Sequence, residues 1–398
     1  MFDSIHIGTS GLQAFSVGLK VISNNVANLN TPGFKSADAQ FANLFYVNSG
    51  NGAAAFSGNS LLFGSGVMAG QTFVNFKAGE TRQTGNALDL SITGEGFFIT
   101  RENGTGDPVY TRAGGFEFND KGVLVVRGTE RQVVGLGAGN AQTALALDGL
   151  RINPPKPTAT VTMAGNISSS ATDLNVESVK VIDSVGAEHV LKLNFKPKTG
   201  SSGTWTVTLL DGVTEAGSGE IAFLGGRPLA GSDSFTIHYT PSGDVAGSNV
   251  KFDFSKNVTS FETGTVSSLA VNTSDGKAVG SLSKVAFEAD GTMALTYSNG
   301  ETVKSARLAL ARFDTPALLE PLGENGFSYA SRDGLHIGGA DADGFGSIAS
   351  NQLEGSNVDL ATEFSDLIVA QRGYQASSRL VSTANDMLQD LLDMKGRR

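Results

Sequence analysis

The chain has 398 residues, with 39 acidic against 29 basic side chains and a formal charge of −10. Two or three domains are expected from that length, and nothing in the sequence approaches the density of Lys and Arg that phosphate binding needs, so nucleic acid is not an expected partner. Cysteine is absent, which excludes disulfides and thiolate chemistry; no apolar run reaches the roughly 18 residues of a membrane span, and the first residues lack the basic start and continuous apolar stretch of a cleaved signal, so neither membrane insertion nor a leader is expected.

The first predicted element is a helix from about Ser4 to Asn28. Ile5 opens an apolar pattern which, from Leu12 onward, runs through Phe15, Leu19, Ile22, Val26 and Leu29 at alternating steps of three and four, the seam of a helix wound against another helix. The helix is expected to stop at Asn30-Thr31-Pro32-Gly33, because proline disfavours helix at the residue before it and glycine frees the backbone. Asp3, His6 and Lys20 are its only possible charges, so packing must supply its stability. Asn48 to Gly70, dense in Gly, Ser and Ala, reads as a connector.

Strand signals follow. Leu88, Leu90 and Ile92 alternate with Asp89 and Ser91, which predicts a strand with Asp89 on its solvent face; a turn at Gly94-Glu95-Gly96 leads to Phe97-Phe98-Ile99. Phe116 and Phe118 pass through Asn119-Asp120-Lys121-Gly122 into Val123 to Val126, a predicted hairpin. The Pro cluster Asn153 to Pro157 marks a domain boundary. Beyond it Leu191, Leu193 and Phe195 alternate with polar residues, as do Trp205, Val207 and Leu209 before the turn Asp211-Gly212, predicting strands with one buried face. A third β stretch, with turns at Asp290-Gly291 and Asn299-Gly300, runs to about residue 350.

The last predicted element is a helix reaching Met394. Ser356 with Asp359 three residues later fits a capping box, and Asn357 is a second candidate cap. Its seam is Leu367, Ala370, Tyr374, Ser377, Val381, Ala384, Leu388 and Leu391, the small members leaving room for a close neighbour.

No constellation for catalysis, metal or cofactor emerges. His6, His189, His238 and His336 are far apart in sequence and read as structural or surface residues. Asp341-Ala342-Asp343-Gly344 has a faint likeness to a calcium loop, but Ser350 stands where the twelfth-position Glu would be. An enzyme is not expected.

Three stretches carry a resemblance. Ser10 to Ser36 holds Asn24-Asn25-Val26-Ala27-Asn28 followed by Asn30-Thr31-Pro32-Gly33-Phe34; the second signature is Ala87 to Phe98 with Tyr110 to Val125; the third is Leu353 to Leu392. In these the chain resembles the bacterial flagellar rod and hook axial proteins, and the added β segment from about 150 to 283 points to the hook members. The resemblance implies a mainly β fold with long α-helical termini: two outer β domains plus a terminal coiled-coil-like helical domain formed by both chain ends. The expected domains are 1–30 with 358–398 (helical, inner tube), 31–70 with 348–357 (connector), 71–150 with 283–347 (a β domain of two chain segments) and 151–282 (an inserted outer β domain). It further implies a homopolymer, assembled as a hollow, flexible, curved tube that passes torque as a universal joint. The implied partners are the flagellar rod, the hook cap, the hook–filament junction proteins and the export apparatus. A distal rod subunit and a secreted β-rich adhesin are the alternatives.

Overall fold

The computed structural model describes residues 2–44, 46–48, 62–103, 106–241, 245–331 and 333–396. The chain is mainly β with one helix at each end: α1, Phe2–Ala27, and α2, Leu360–Gly396. It divides into two units, one of Met1–Asp148, Val285–Ala294 and Lys304–Arg398, the other of Gly149–Lys284 and Leu295–Val303.

In the first unit the strand Phe97–Glu102 pairs antiparallel with Val109–Thr111, Arg131–Leu136 and Leu310–Phe313. Their inward residues, among them Phe97, Ile99, Tyr110, Val134 and Phe313, form one buried cluster with Phe327 of the strand Gly326–Ser328. Aromatic rings meet there edge to face, Phe97 with Phe313 at 5.5 Å and Tyr110 with Phe313 at 4.8 Å, a geometry that adds about 0.5–1.5 kcal/mol per pair beyond area burial. The expected hairpin forms between Phe116–Phe118 and Leu124–Val126, with Leu124 opposite Phe118.

Two local expectations need correction. Leu90, Ser91 and Ile92 are all buried, so the strand Leu90–Thr93 is covered on both faces. Asp89 does not face solvent: it is 3% exposed and ion-paired with Arg127. A buried carboxylate is tolerated when a cation and hydrogen bonds satisfy it, and here the Asn86 amide also donates to it at 3.3 Å. Residues 49–61, the middle of the Gly/Ser-rich stretch, lie outside the described residues. At its margin Val67–Val74 pairs with Ala37–Asn43, Asp38 opposite Phe73 and Ala42 opposite Met68.

The second unit shows the alternation in plain form. Leu174–Ile182, Glu188–Pro197, Thr204–Asp211 and Thr214–Leu224 make an antiparallel meander. Leu191, Leu193, Phe195, Trp205, Val207 and Leu209 point inward while their polar neighbours point out, the period-two pattern of a half-buried strand. They share one core with Val161, Ile237, Val250 and Phe252 from a second sheet. The Asp211-Gly212 turn closes the hairpin, with Asp211 opposite Thr214 and Gly212 at φ 60°.

Candidate assembly site

The two helices lie side by side and antiparallel. A Cβ placed on Gly8 would stand 2.7 Å from Val381 Cγ2, one on Gly11 2.6 Å from Ser377 Oγ, and one on Gly373 would fall on the Phe15 ring. These approaches fix the pairing, and Asn25 continues it by donating to Glu363 at 2.8 Å. Small residues let the backbones approach closely: Gly8 and Gly11 meet Val381 and Ser377, with Ala14 buried beside them, and Ala370, Ser377 and Ala384 are the buried positions of the later turns of α2. Ser10 and Gly18 are buried against Val67 N and the Phe41 ring instead.

The larger apolar residues expected as seams sit around this contact. Leu12, Phe15, Leu19, Ile22 and Val26 are half-buried, and Leu29 lies beyond the end of α1 in a turn. On α2, Leu367, Val381 and Leu388 are half-buried, Ala370 and Ala384 buried, and Tyr374 and Leu391 exposed at 42% and 49%. Glu363 extends the same face one step towards the start of α2, a polar member that an apolar pattern passes over.

Asn25 is 1% exposed, and its amide is fully used. The side-chain nitrogen donates to Ala37 O at 2.9 Å and to Glu363, and the side-chain oxygen accepts from Ala37 N at 3.1 Å. One side chain thus ties α1, the strand Ala37–Asn43 and α2. Burial, and after it the nearby Asp38, Asp366 and Asp359 carboxylates, pushes the Glu363 carboxyl above its usual range, partly offset by the Asn25 hydrogen bond.

The remaining motif residues build the turn after α1. Asn28 donates to Asn24 O at 2.9 Å, Thr31 Oγ1 donates to Asn28 Oδ1 at 3.1 Å, and Asn325 donates to Pro32 O at 2.9 Å. Asn24 and Asn30 are exposed, and Phe34 is half-buried. Gly33 has φ +71°, and a Cβ there would strike the backbone of Arg112 and Ala113; only glycine meets both demands.

The capping expectation is corrected in part. Asp359 is the residue that caps α2, its Oδ1 accepting from Ala361 N at 2.9 Å and its Oδ2 from Thr362 Oγ1 at 2.9 Å. Ser356 Oγ accepts only from Val358 N, at 3.3 Å. Asn357 is turned elsewhere, accepting from Ser36 N at 2.7 Å and donating to Asn75 O at 2.7 Å. The helix begins later than the box requires, so Asp359 is the cap itself and not its third-residue partner.

A buried charge cluster went unnoticed in the sequence. Glu354 Oε1 accepts from Lys35 Nζ at 2.6 Å and Gly79 N at 3.0 Å, and its Oε2 accepts from Arg112 Nη1 at 3.2 Å. The three side chains are 2%, 0% and 7% exposed respectively. Lys35 also donates to Lys77 O at 2.7 Å, Arg112 donates to Gly94 O at 2.8 Å, and the guanidinium lies 5.2 Å from the Phe97 ring centre. Burial, with the Arg112 charge adding to it, holds the Lys35 ammonium below its usual range against the opposing pull of Glu354. The signal available was position: each of the three charges falls inside one of the three motif stretches.

Among the described residues no helix is long and apolar enough to cross a membrane, and no group of three or more His, Cys, Asp or Glu could hold a metal ion. Of the histidines, His189 faces Asp183 at 2.9 Å, His336 faces Asp314 at 3.1 Å and His238 faces Asn249 at 2.8 Å.

Helices at both ends, tied through a motif asparagine, with a β body between them, fit an axial subunit of the bacterial flagellum. Residues 5–35 match the flagella basal body rod protein family, and residues 349–394 match the flagellar basal body rod FlgEFG protein C-terminal family. Flagellar hook protein FlgE of Rhizobium meliloti is 31% identical, covering 99% of both chains. That of Borreliella burgdorferi is 28% identical over 99% of this chain and 100% of its own, and that of Escherichia coli 28% over 97% and 98%. The chain belongs to the flagellar hook protein FlgE family. This is a structural family of a polymeric flagellar assembly and not an enzyme family, and its place is the flagellar hook.

Proposed function

We propose that this chain polymerises into the hollow, flexible, curved tube of the hook, which acts as a universal joint passing torque from the basal body to the filament. The paired ends then wind as coiled-coil-like seams along the inner tube, and the β units, one of them inserted at about 151–282, stand outside. The observation that carries this reading is the apolar surface left on α2. Val369, Leu380, Met387, Leu391 and Met394, which share one side of the helix at 3.6 residues per turn, are 49–73% exposed, and exposed apolar surface of this kind marks an interaction face.

Leu12, Phe15, Leu19, Ile22 and Val26 on α1, with Leu29 just past it, and Leu367, Ala370, Tyr374, Val381, Ala384, Leu388 and Leu391 on α2, are the proposed polymerisation seams. Contacts that repeat head to tail build a filament. The flagellar setting of the family supports the rod, the hook cap, the hook–filament junction proteins and the export apparatus as partners. Glycine-rich outer surfaces, from a chain with 51 glycines, suit sliding between copies as the tube bends. The hook relatives favour this reading over a distal rod subunit or an adhesin.

The test is negative-stain electron microscopy of the full chain in a polymerisation-promoting salt, beside a form lacking 360–398. Curved hollow tubes from the full chain and none from the truncated one are expected. Tubes from both overturn the role given to the ends; monomers from both overturn self-assembly.

A further inference from the structure

Two surfaces of the first unit are complementary to each other and are built from different residues. The first is a stripe of α2 through Ala376, Leu380, Met387, Leu391 and Met394, in steps of three, four or seven. At 3.6 residues per turn it lies about a quarter turn from the face that meets α1. Leu380, Met387 and Met394 are 54%, 53% and 73% exposed. Arg372 and Arg379 border it around a shallow groove that also includes Gln375 and Thr383, and among the described residues neither arginine has a carboxylate within 4.0 Å.

The second surface is a cleft of about 290 Å³ between α1, the strand Ala37–Asn43 and the first turns of α2. Phe15, Ile22 and Phe41 make its apolar wall, with the Phe15 and Phe41 rings 5.8 Å apart and Phe41 48% exposed. Asp38, Glu363 and Asp366 line the rest, and among the described residues no Lys or Arg reaches any of them within 4.0 Å. Asp38 and Asp366, exposed at the rim, thus set negative charge beside the apolar wall with no cation of the described residues paired to it.

We propose that the cleft of one copy receives the α2 stripe of a second copy, Leu380 packing against Phe15 and Phe41 while Arg372 and Arg379 pair with Asp38 and Asp366. This rests on the self-assembly proposed above and gives it a specific contact. Charge complementarity selects the occupant: an apolar ridge edged with unpaired arginines is present on every copy, as is an apolar cleft edged with unpaired carboxylates. Because ridge and cleft are different surfaces, the contact is heterologous. Each copy that docks by one surface leaves its other surface free, so the association continues.

The experiment uses two full-length variants, Arg372→Glu with Arg379→Glu, and Asp38→Lys with Asp366→Lys, each checked for native circular dichroism. Under conditions in which the unaltered chain pellets as polymer, each variant alone is expected to lose at least about tenfold in pelleted protein, since like charges across an interface oppose it. An equimolar mixture of the two is expected to regain assembly, because each altered surface then meets its complement. The chain carrying all four changes is expected to do the same. Variants that assemble alone as well as the unaltered chain overturn the inference and leave self-assembly standing. So do folded variants whose mixture and fourfold combination both stay monomeric. An unaltered chain that never self-associates overturns both.

Discussion

Asn25 on α1 and Glu363 on α2, separated by 338 positions in the chain, are joined by a 2.8 Å hydrogen bond between buried side chains. Through it the two termini recognise one another by polarity as well as by shape, at a place where the surrounding contact is made of small residues.

Glu363 gives the helix pair a pH dependence of definite sign. Its carboxyl is raised in the folded chain, so the folded state holds its proton more tightly than the unfolded state. This residue's effect is therefore most favourable below the ordinary carboxylate pKa of about 4.3 and turns unfavourable as pH rises through the raised value. Thermal unfolding followed at a helix wavelength from acid to neutral pH should show Glu363→Gln losing that component relative to the unaltered chain. Parallel pH profiles for the two would remove Glu363 as its source.

Replacing Asn25 with alanine strips a donor from Ala37 O, an acceptor from Ala37 N and the hydrogen bond to Glu363. Each buried group left unpaired costs about 1–3 kcal/mol, less whatever water recovers. A loss of about 2 kcal/mol or more in urea unfolding is expected, and a change below about 0.5 kcal/mol would mean that the amide network is dispensable.

At Gly373 a side chain would enter the space of the Phe15 ring. Alanine gains up to about 1 kcal/mol of helix propensity, so the informative substitution is the bulkier Gly373→Val. Overpacking of about 1–3 kcal/mol should appear as lower stability of the helical signal. A second change, Phe15→Ala, should recover part of it by making room.

Glu354→Ala removes the only carboxylate paired with Lys35 and Arg112 among the described residues. Breaking a buried pair costs about 3–5 kcal/mol because uncompensated charge is left inside. Faster limited proteolysis near residues 33–36 and 353–357 is the expected readout. Unchanged cleavage there would show that the cluster does not hold these segments.

Much of the strand pattern was legible because it is local. Leu191, Leu193 and Phe195 alternate with polar residues on a strand whose one face is buried, and the period follows from the backbone alone. Asp89 obeyed the same pattern and still proved buried, since its partner Arg127 arrives from 38 positions away. On α2 the small seam members Ala370, Ser377 and Ala384 are the buried ones, but on α1 the apolar pattern did not show which residues would be buried in the contact. Gly8 and Gly11 are too small to register as an apolar signal, and they are the ones that let the helices touch.

The sequence by itself determined the helical ends, the β body between them, the turn at Asn30 to Gly33 and the family, because periodicity, turn chemistry and motif order are properties of neighbouring residues. Only the tertiary structure decided that Lys35, Arg112 and Glu354 form one cluster, that Asp359 rather than Ser356 caps α2, and that Asn25 spans three elements. Each of those depends on which distant segments meet, and burial then makes a satisfied partner obligatory for every charge and amide brought inside.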